Sequence, residues 1–535
     1  MLGTLVAEEI RKQFGDRTVL DGVSLTVGPE SRVGIVGPNG IGKSTFLRIL
    51  AGLEVPDGGG LIRSPAELSV GYLPQEPDAS AGESLLAYLA RRTGVAGAEA
   101  ELDRLTTALE RDPDVVEDYS AALERFVGLG GSDLEPRART ALAEVGLAAG
   151  LDEPMGTLSG GEAARAALAA IVLARFDVLL LDEPTNDLDF AGLELLERFF
   201  AGARVGLVAV SHDRAFLDRA VDRILAFEDG GRPAREYAGG WSELEEARRI
   251  ARRHEQESFD RYVEERDRLH EQARRQRLWA DLGTKRARKG VSDGDKGIRF
   301  ARVQGSQKMA ARAKVTERRL ERLEPVAKPW QPWELRLDLE AGRRSGDVVA
   351  RLERAVVRRG SFELGPLDLD VRWRDRIAIV GSNGSGKTTL LDALLGRVPL
   401  AEGRRYVGPG VVLGELDQRR TAFAAEVPLL RSFASSSGLA DGEARTLLAK
   451  FRLGSGEVLR RAGGLSPGER TRAALALLVA RGVNCLVLDE PTNHLDIEAI
   501  EELEAALGGF GGTILLVTHD RRFLEGFEPS ATVEL

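Results

Sequence analysis

Two stretches of this sequence have the form Gly-x-x-x-x-Gly-Lys-[Ser/Thr]. One runs Gly37, Pro38, Asn39, Gly40, Ile41, Gly42, Lys43, Ser44, Thr45; the other runs Gly381, Ser382, Asn383, Gly384, Ser385, Gly386, Lys387, Thr388, Thr389. Such a loop binds phosphate: its glycines turn consecutive backbone N–H groups toward the β-phosphate, and its lysine neutralises β/γ oxygens. The hydroxyl of Ser44 or Thr388 is a ligand for Mg²⁺, and the helix that follows adds its dipole. Asp182 and Asp489 close short apolar runs, where a carboxylate can hold the Mg²⁺ shell, and the adjacent Glu183 and Glu490 are placed to polarise an attacking water. His212 and His519 follow further apolar runs and precede an aspartate, as γ-phosphate contacts would. Gln75 and Gln418 lie 38 and 37 residues after the first glycine of their loops and suit sensing of Mg²⁺ or water. Ser159, Gly160, Gly161 and Glu162, and likewise Ser466, Gly468 and Glu469, open helices whose free N–H groups can take an anion.

These residues recur as a set. Leu158 and Leu465, Asp182 and Asp489, and His212 and His519 are each 307 residues apart, whereas Gly37 and Gly381 are 344 apart. One unit is therefore duplicated, with 37 extra residues in the first copy between its glycine loop and its Leu-Ser-Gly-Gly-Glu motif. Ser31–Val36, Val178–Leu181 and Val205–Val210 read as buried strands, as do Arg376–Val380, Leu486–Leu488 and Thr513–Val517. With helices alternating between them, they predict a mostly parallel α/β sheet in each copy. The extra residues fall at about 80–150 and read as a helical hairpin.

Between the copies the sequence changes character. Residues 272–322 hold 16 Lys and Arg against five Asp and Glu, a net +11, which leaves −21 on the rest of a 535-residue chain of net charge −10. The segment reads as two helices, Trp241–Leu282 and Ile298–Leu323, joined by a glycine-rich mobile turn. Their sparse apolar positions (Phe259, Tyr262, Val263, Leu269, Val303, Val315, Leu320, Leu323) suffice for the helices to pack on each other and to protrude. A cationic segment on an acidic body calls for a polyanionic partner at one place. Composition is otherwise ordinary, 43% hydrophobic and 30% charged. The longest apolar run, Ala166 to Ala174, is too short to span a bilayer, the N-terminus has no secretory pattern, and a single cysteine, Cys485, excludes an internal disulfide or cysteine zinc finger. A cytoplasmic protein with no direct membrane insertion is expected.

The motifs resemble the ATP-binding-cassette superfamily. Two cassettes, an Asp-Glu-Pro-Thr-Asn-x-Leu-Asp run after each acidic pair and the basic two-helix linker resemble the ABC-F family. The resemblance implies cassette 1 at 1–240, a linker at 241–325 and cassette 2 at 326–535. It implies a monomer whose cassettes close head to tail on two ATP molecules. Site one then joins the first loop, Gln75, Asp182, Glu183 and His212 to Ser466, Gly468, Glu469 and Asp496. Site two joins the second loop, Gln418, Asp489, Glu490 and His519 to Ser159, Gly160, Gly161 and Asp189. Family members act on the ribosome, so rRNA and P-site tRNA are the partners implied for 272–322, in translation or in protection from antibiotics. The energising subunit of a transporter with a separate membrane partner is the competing reading, and a DNA-repair ATPase a third. The sequence also departs from the pattern. Pro467 replaces a signature glycine and has no N–H. Phe14, before Gly15, stands where the family stacks an aromatic on adenine, whereas Arg359 precedes the comparable Gly360. Asp187 stands where the second copy has His494.

Overall fold

A computed structural model describes residues 3–74, 80, 82–228, 233–288, 296–328, 342–360, 362–416, 423, 426–493 and 495–535. Gln75, Gln418 and His494 lie outside the described residues. The chain divides into two compact units, Met1–Ser242 with Leu335–Leu535, and Glu243–Glu334.

The first unit holds two α/β halves. In one, a six-stranded sheet runs in the order Val70–Leu73, Val178–Asp182, Gly206–Val210, Arg32–Val36, Arg223–Ala226, Arg235–Ala238, parallel except for its last pair. In the other, a five-stranded parallel sheet runs Leu413–Leu416, Cys485–Asp489, Thr513–Val517, Arg376–Val380, Ala531–Glu534. The central strands are apolar along their whole length because both faces are covered. Leu179 and Leu181 join one core with the helices, and Val178 and Leu180 join a second core under a three-stranded antiparallel sheet. Cys485 and Val487, with Leu486 and Leu488, repeat this division in the second half.

The helical region of the first half contains Leu85–Arg92, Val95–Leu109, Val116–Gly128 and Leu134–Glu144; among the described residues the second half has only Leu429–Ser437 and Asp441–Lys450 there. The extra residues are therefore the hairpin Val95–Gly128, set between two helices that both halves share.

The second unit is built from the helix Trp241–Arg288, of 48 residues, which begins within the first unit, and the helix Lys296–Glu321, of 26. The first continues six residues beyond Leu282, through Gly283, and the second begins at Lys296, two residues before Ile298. The seam also differs from the one the apolar pattern predicts. Leu269, Ala273, Ala280, Ser306, Ala313 and Thr316 are buried, whereas Val303 and Val315 are exposed. Small side chains let the helices approach, and polar bonds replace apolar area. Ser306 Oγ donates to the Ala280 carbonyl at 2.6 Å, and Thr316 Oγ1 donates to Gln276 Oε1 at 2.9 Å. Arg277 pairs with Glu317 across the seam at 2.5 Å. No helix among the described residues is long and apolar enough to cross a membrane.

Candidate functional site

Each glycine loop joins an interior strand of its sheet, Arg32–Val36 or Arg376–Val380, to a helix, Lys43–Ala51 or Lys387–Leu395. Gly42 and Gly386 adopt φ of 115° and 105°, and a Cβ at Gly42 would lie 2.5 Å from Val19 Cγ1, so only glycine fits that turn. Lys43 Nζ donates to the Gly37 and Pro38 carbonyls at 2.6 and 3.1 Å and lies 3.2 Å from His212 Nε2. Lys387 Nζ makes the same two loop bonds, to Gly381 and Ser382, at 2.9 and 3.1 Å. Burial lowers both lysine pKa values, and the neighbouring carboxylates oppose that shift.

The acidic pairs sit where their strands end. Thr388 Oγ1 donates to Asp489 Oδ2 at 3.1 Å, and Ser44 makes the equivalent bond to Asp182. Asp182 Oδ1 is buried with no bonding partner. Hydroxyl and carboxylate oxygens gathered in this way suit Mg²⁺, which keeps water and phosphate in most of its octahedral shell. No cluster of three or more His, Cys, Asp or Glu able to hold a metal exists among the described residues, so such an ion would need the nucleotide's oxygens as well.

Glu183 and Glu490 have φ of 52° and 46°, in a left-handed region that costs roughly 1–2 kcal/mol for a residue with a Cβ. Bonds from their N–H groups to the Val210 and Val517 carbonyls, each 3.0 Å, hold them there. His212 Nε2 lies 3.1 Å from Glu183 Oε1, and His519 Nε2 lies 3.3 Å from Glu490 Oε1. Burial pushes Glu183 up to about 7 and Glu490 up to about 8, with the lysines opposing. Burial drives His212 well down and His519 down to about 4. Each pair therefore joins a neutral imidazole to a carboxyl that ionises near neutrality, the range in which a base is effective.

The halves meet at these sites. Asp189 caps the helix Phe190–Gly202 by accepting from Gly192 N at 3.0 Å, while its other oxygen accepts from Asn383 N in the second loop at 2.9 Å. Asp496 caps Ile497–Gly508 by accepting from Ala499 N at 3.1 Å and accepts from Asn39 N in the first loop at 3.0 Å. A Cβ on Gly161 would lie 2.9 Å from Asn383 Cβ, so the first signature abuts the second loop. A cavity of about 1080 Å³ is lined by Ser159, Gly160 and Gly161 on one side and by Asn383, Lys387, Thr388, Glu490 and His519 on the other. A second, of about 450 Å³, is lined by Phe14, Asn39, Lys43, Ser44, Asp182, Glu183 and His212. Asp187 also crosses the divide, its carbonyl accepting from Asn383 Nδ2 at 2.7 Å and its carboxylate from Asn493 Nδ2 at 3.3 Å.

Several residues occupy places that motif reading did not supply. Glu162 and Glu469 turn back onto their own helix starts, accepting from Ser159 N and Ser466 N at 2.8 and 2.7 Å in capping boxes. Arg359, at the sequence position matching Phe14, is tied to Asp392 at 3.0 Å. Phe14 pairs across its hairpin with Arg17, and Arg359 pairs with Phe362, so aromatic and guanidinium have exchanged strands. Phe362 is the aromatic that lines the larger cavity. Tyr72, whose hydroxyl donates to Asp182 Oδ2 at 3.1 Å, is replaced in register by Glu415, which Arg397 binds in a fork. The hairpin register is the signal for Phe362; Tyr72 has none in the sequence.

Comparison with known proteins agrees with this geometry. A family model described as ABC transporter matches twice, at residues 20–186 and 364–493. The chain is thus a tandem ATP-binding-cassette protein built on a P-loop ATPase fold. The tylosin resistance ATP-binding protein TlrC of Streptomyces fradiae is 38% identical over 97% of this chain and 95% of its own. The energy-dependent translational throttle protein EttA of Mycobacterium tuberculosis is 32% identical over 97% and 89%. At that likeness over nearly its whole length, the chain belongs to the ABC-F family. Among solved structures, the archaeal ribosome recycling factor aABCE1, in complex with the archaeal ribosomal stalk protein aP1, aligns over 97% of this chain and 86% of that one. Its TM-score is 0.57 at 20% identity, a likeness of fold.

Proposed function

We propose that this protein is a cytoplasmic, monomeric ATPase that closes its two cassettes on two ATP molecules and, when closed, binds the ribosome to act on translation or to protect it from antibiotics. The reciprocal bonds Asn39–Asp496 and Asn383–Asp189 carry this reading, because each phosphate loop is completed by the opposite cassette. Lys43 and Lys387 bind the β/γ-phosphates, Ser44, Thr388, Asp182 and Asp489 hold Mg²⁺, and Glu183 and Glu490 orient the water that turns ATP into ADP and phosphate. Gln75 and Gln418 complete the same set. His212 and His519 read the γ-phosphate, so hydrolysis removes the group that both halves touch and lets them part. Phe14 and Phe362 stack on the adenines. The helical unit reaches rRNA and P-site tRNA through its +11 segment, whose exposed Trp279 and Phe300 suit base stacking. The relatives' names support this reading, one being a resistance protein and the other a translational throttle.

The test is a Glu183→Gln, Glu490→Gln double variant. It should retain ATP and sediment with 70S particles in an ATP-dependent manner. Recovery with membranes alone would replace the ribosomal reading with that of a transporter subunit.

A further inference from the structure

Away from the phosphate loops, the cassettes are joined by two ion pairs related by the same 307-residue repeat. Arg214 reaches Glu504 through a fork, with one bond of 3.1 Å, and Arg521 reaches Glu197 at 2.7 Å. Arg214 is only 7% exposed, and Arg521 and Glu197 are each 15% exposed. Such pairs are costly to break on one side, because the remaining charge is left buried without its partner. The second is reinforced: Arg521 also approaches Glu194 at 3.4 Å and lies 5.8 Å above the Phe190 ring.

Their positions close two circuits. Arg214 stands two residues after His212, in the helix Arg214–Ala220 that Asp213 caps. Glu504 lies in Ile497–Gly508, whose cap Asp496 holds Asn39 of the same site's phosphate loop. One helix of cassette 2 is therefore gripped at its start by the loop of site one and two turns later by the histidine segment of site one. Arg521, Glu197, Asp189 and Asn383 repeat the arrangement around site two.

We propose that Arg214–Glu504 and Arg521–Glu197 are positioning pairs for ATP hydrolysis. Each seats the histidine segment of its own site against the opposing cassette, so that closure and γ-phosphate sensing occur together. Neither arginine touches substrate. The inference rests on the nucleotide-site reading above, and the experiment separates the two.

The full chain, labelled at Leu53→Cys and Leu459→Cys with a donor–acceptor pair (the native Cys485 is buried), reports closure on adding MgATP. Without substitution in the clasp it should close; failure there would overturn the site reading itself. Arg214→Ala and Glu504→Ala should each raise the ATP concentration for half-closure by about tenfold and lower kcat by a similar factor. The double alanine variant should be no worse than either single one, and the exchanged pair Arg214→Glu with Glu504→Arg should recover most of the closure. A general packing defect would not be rescued by exchange. Independent, additive losses, or single variants that close like the parent, would overturn the positioning role.

Discussion

At the scale of single residues, the nucleotide sites combine groups that the folded chain disfavours on its own. Glu183, buried, and Glu490, half-buried, hold a left-handed backbone conformation, with pKa values pushed up to about 7 and 8. A carboxyl whose pKa is raised on folding binds more protons in the native state than in the unfolded chain, so stability falls as pH climbs from about 4.5 through these values. The Glu183→Gln, Glu490→Gln variant lacks that slope. Without nucleotide or Mg²⁺, its melting temperature should match the parent's at pH 4 and exceed it increasingly up to pH 8.5. Parallel melting curves across that range would contradict the burial argument. The exchange of Phe362 and Arg359 makes a second prediction at this scale. Phe362→Ala should weaken nucleotide binding at site two about fivefold, roughly 1 kcal/mol of lost ring contact, while Arg359→Ala leaves it nearly unchanged; fluorescent-nucleotide titration in a Lys43→Ala background reads that site alone.

At the scale of elements, the sequence was most legible where backbone geometry allows only one solution. Gly42 must be glycine, and the strand-end acids must follow a buried apolar run, so spacing alone located the loops, the Asp-Glu pairs and the histidines. Legibility failed where a side chain serves its own helix or a partner far away in sequence. Glu162 and Glu469 stand in a motif that names them as site residues, and the capping boxes they close at their own helix starts were not legible in it. Much of the linker seam is built from Ala, Ser and Thr, types that hydropathy patterning discounts, so these were missed, and Val303 and Val315 were assigned to a seam from which they are exposed, while Leu269 lies in it as expected. Caps that also cross the interface invite a direct measurement. Ser84→Ala removes the cap of Leu85–Arg92, a helix start that lines neither cavity, and should cost about 1 kcal/mol in urea unfolding. Asp496→Ala removes a comparable cap but also the bond to Asn39, so it should show a similar unfolding cost and a much larger loss of ATP-driven closure. Equal effects of the two on closure would show that Asp496 acts only within its own helix.

At the scale of the whole molecule, charge is divided unevenly along the chain, and under the proposed function this separates the binding of ATP from that of a polyanion. The segment 272–322 carries +11 and the rest of the chain −21, so a large RNA surface attracts the one and repels the other. Much of the cationic charge belongs to exposed arginines; even those that pair across the seam, such as Arg277 with Glu317, remain largely in solvent. Such charges contribute little to folding, since solvent screens exposed pairs, and are free to displace counterions from phosphates. Ribosome association should therefore weaken steeply with salt, its logarithm falling linearly with log salt concentration with a slope of about −0.7 to −0.9 per phosphate contacted. Arg274→Glu, Arg275→Glu and Arg312→Glu together should flatten that slope and abolish cosedimentation with 70S particles at physiological salt. ATP turnover in the absence of ribosomes should be unchanged, because these residues belong to the helical unit and line neither cavity. If the reversed protein still cosedimented with an unaltered salt slope, the charge on this unit would have no part in recognition, and binding would have to reside on the acidic body, where contact with RNA phosphates is repulsive.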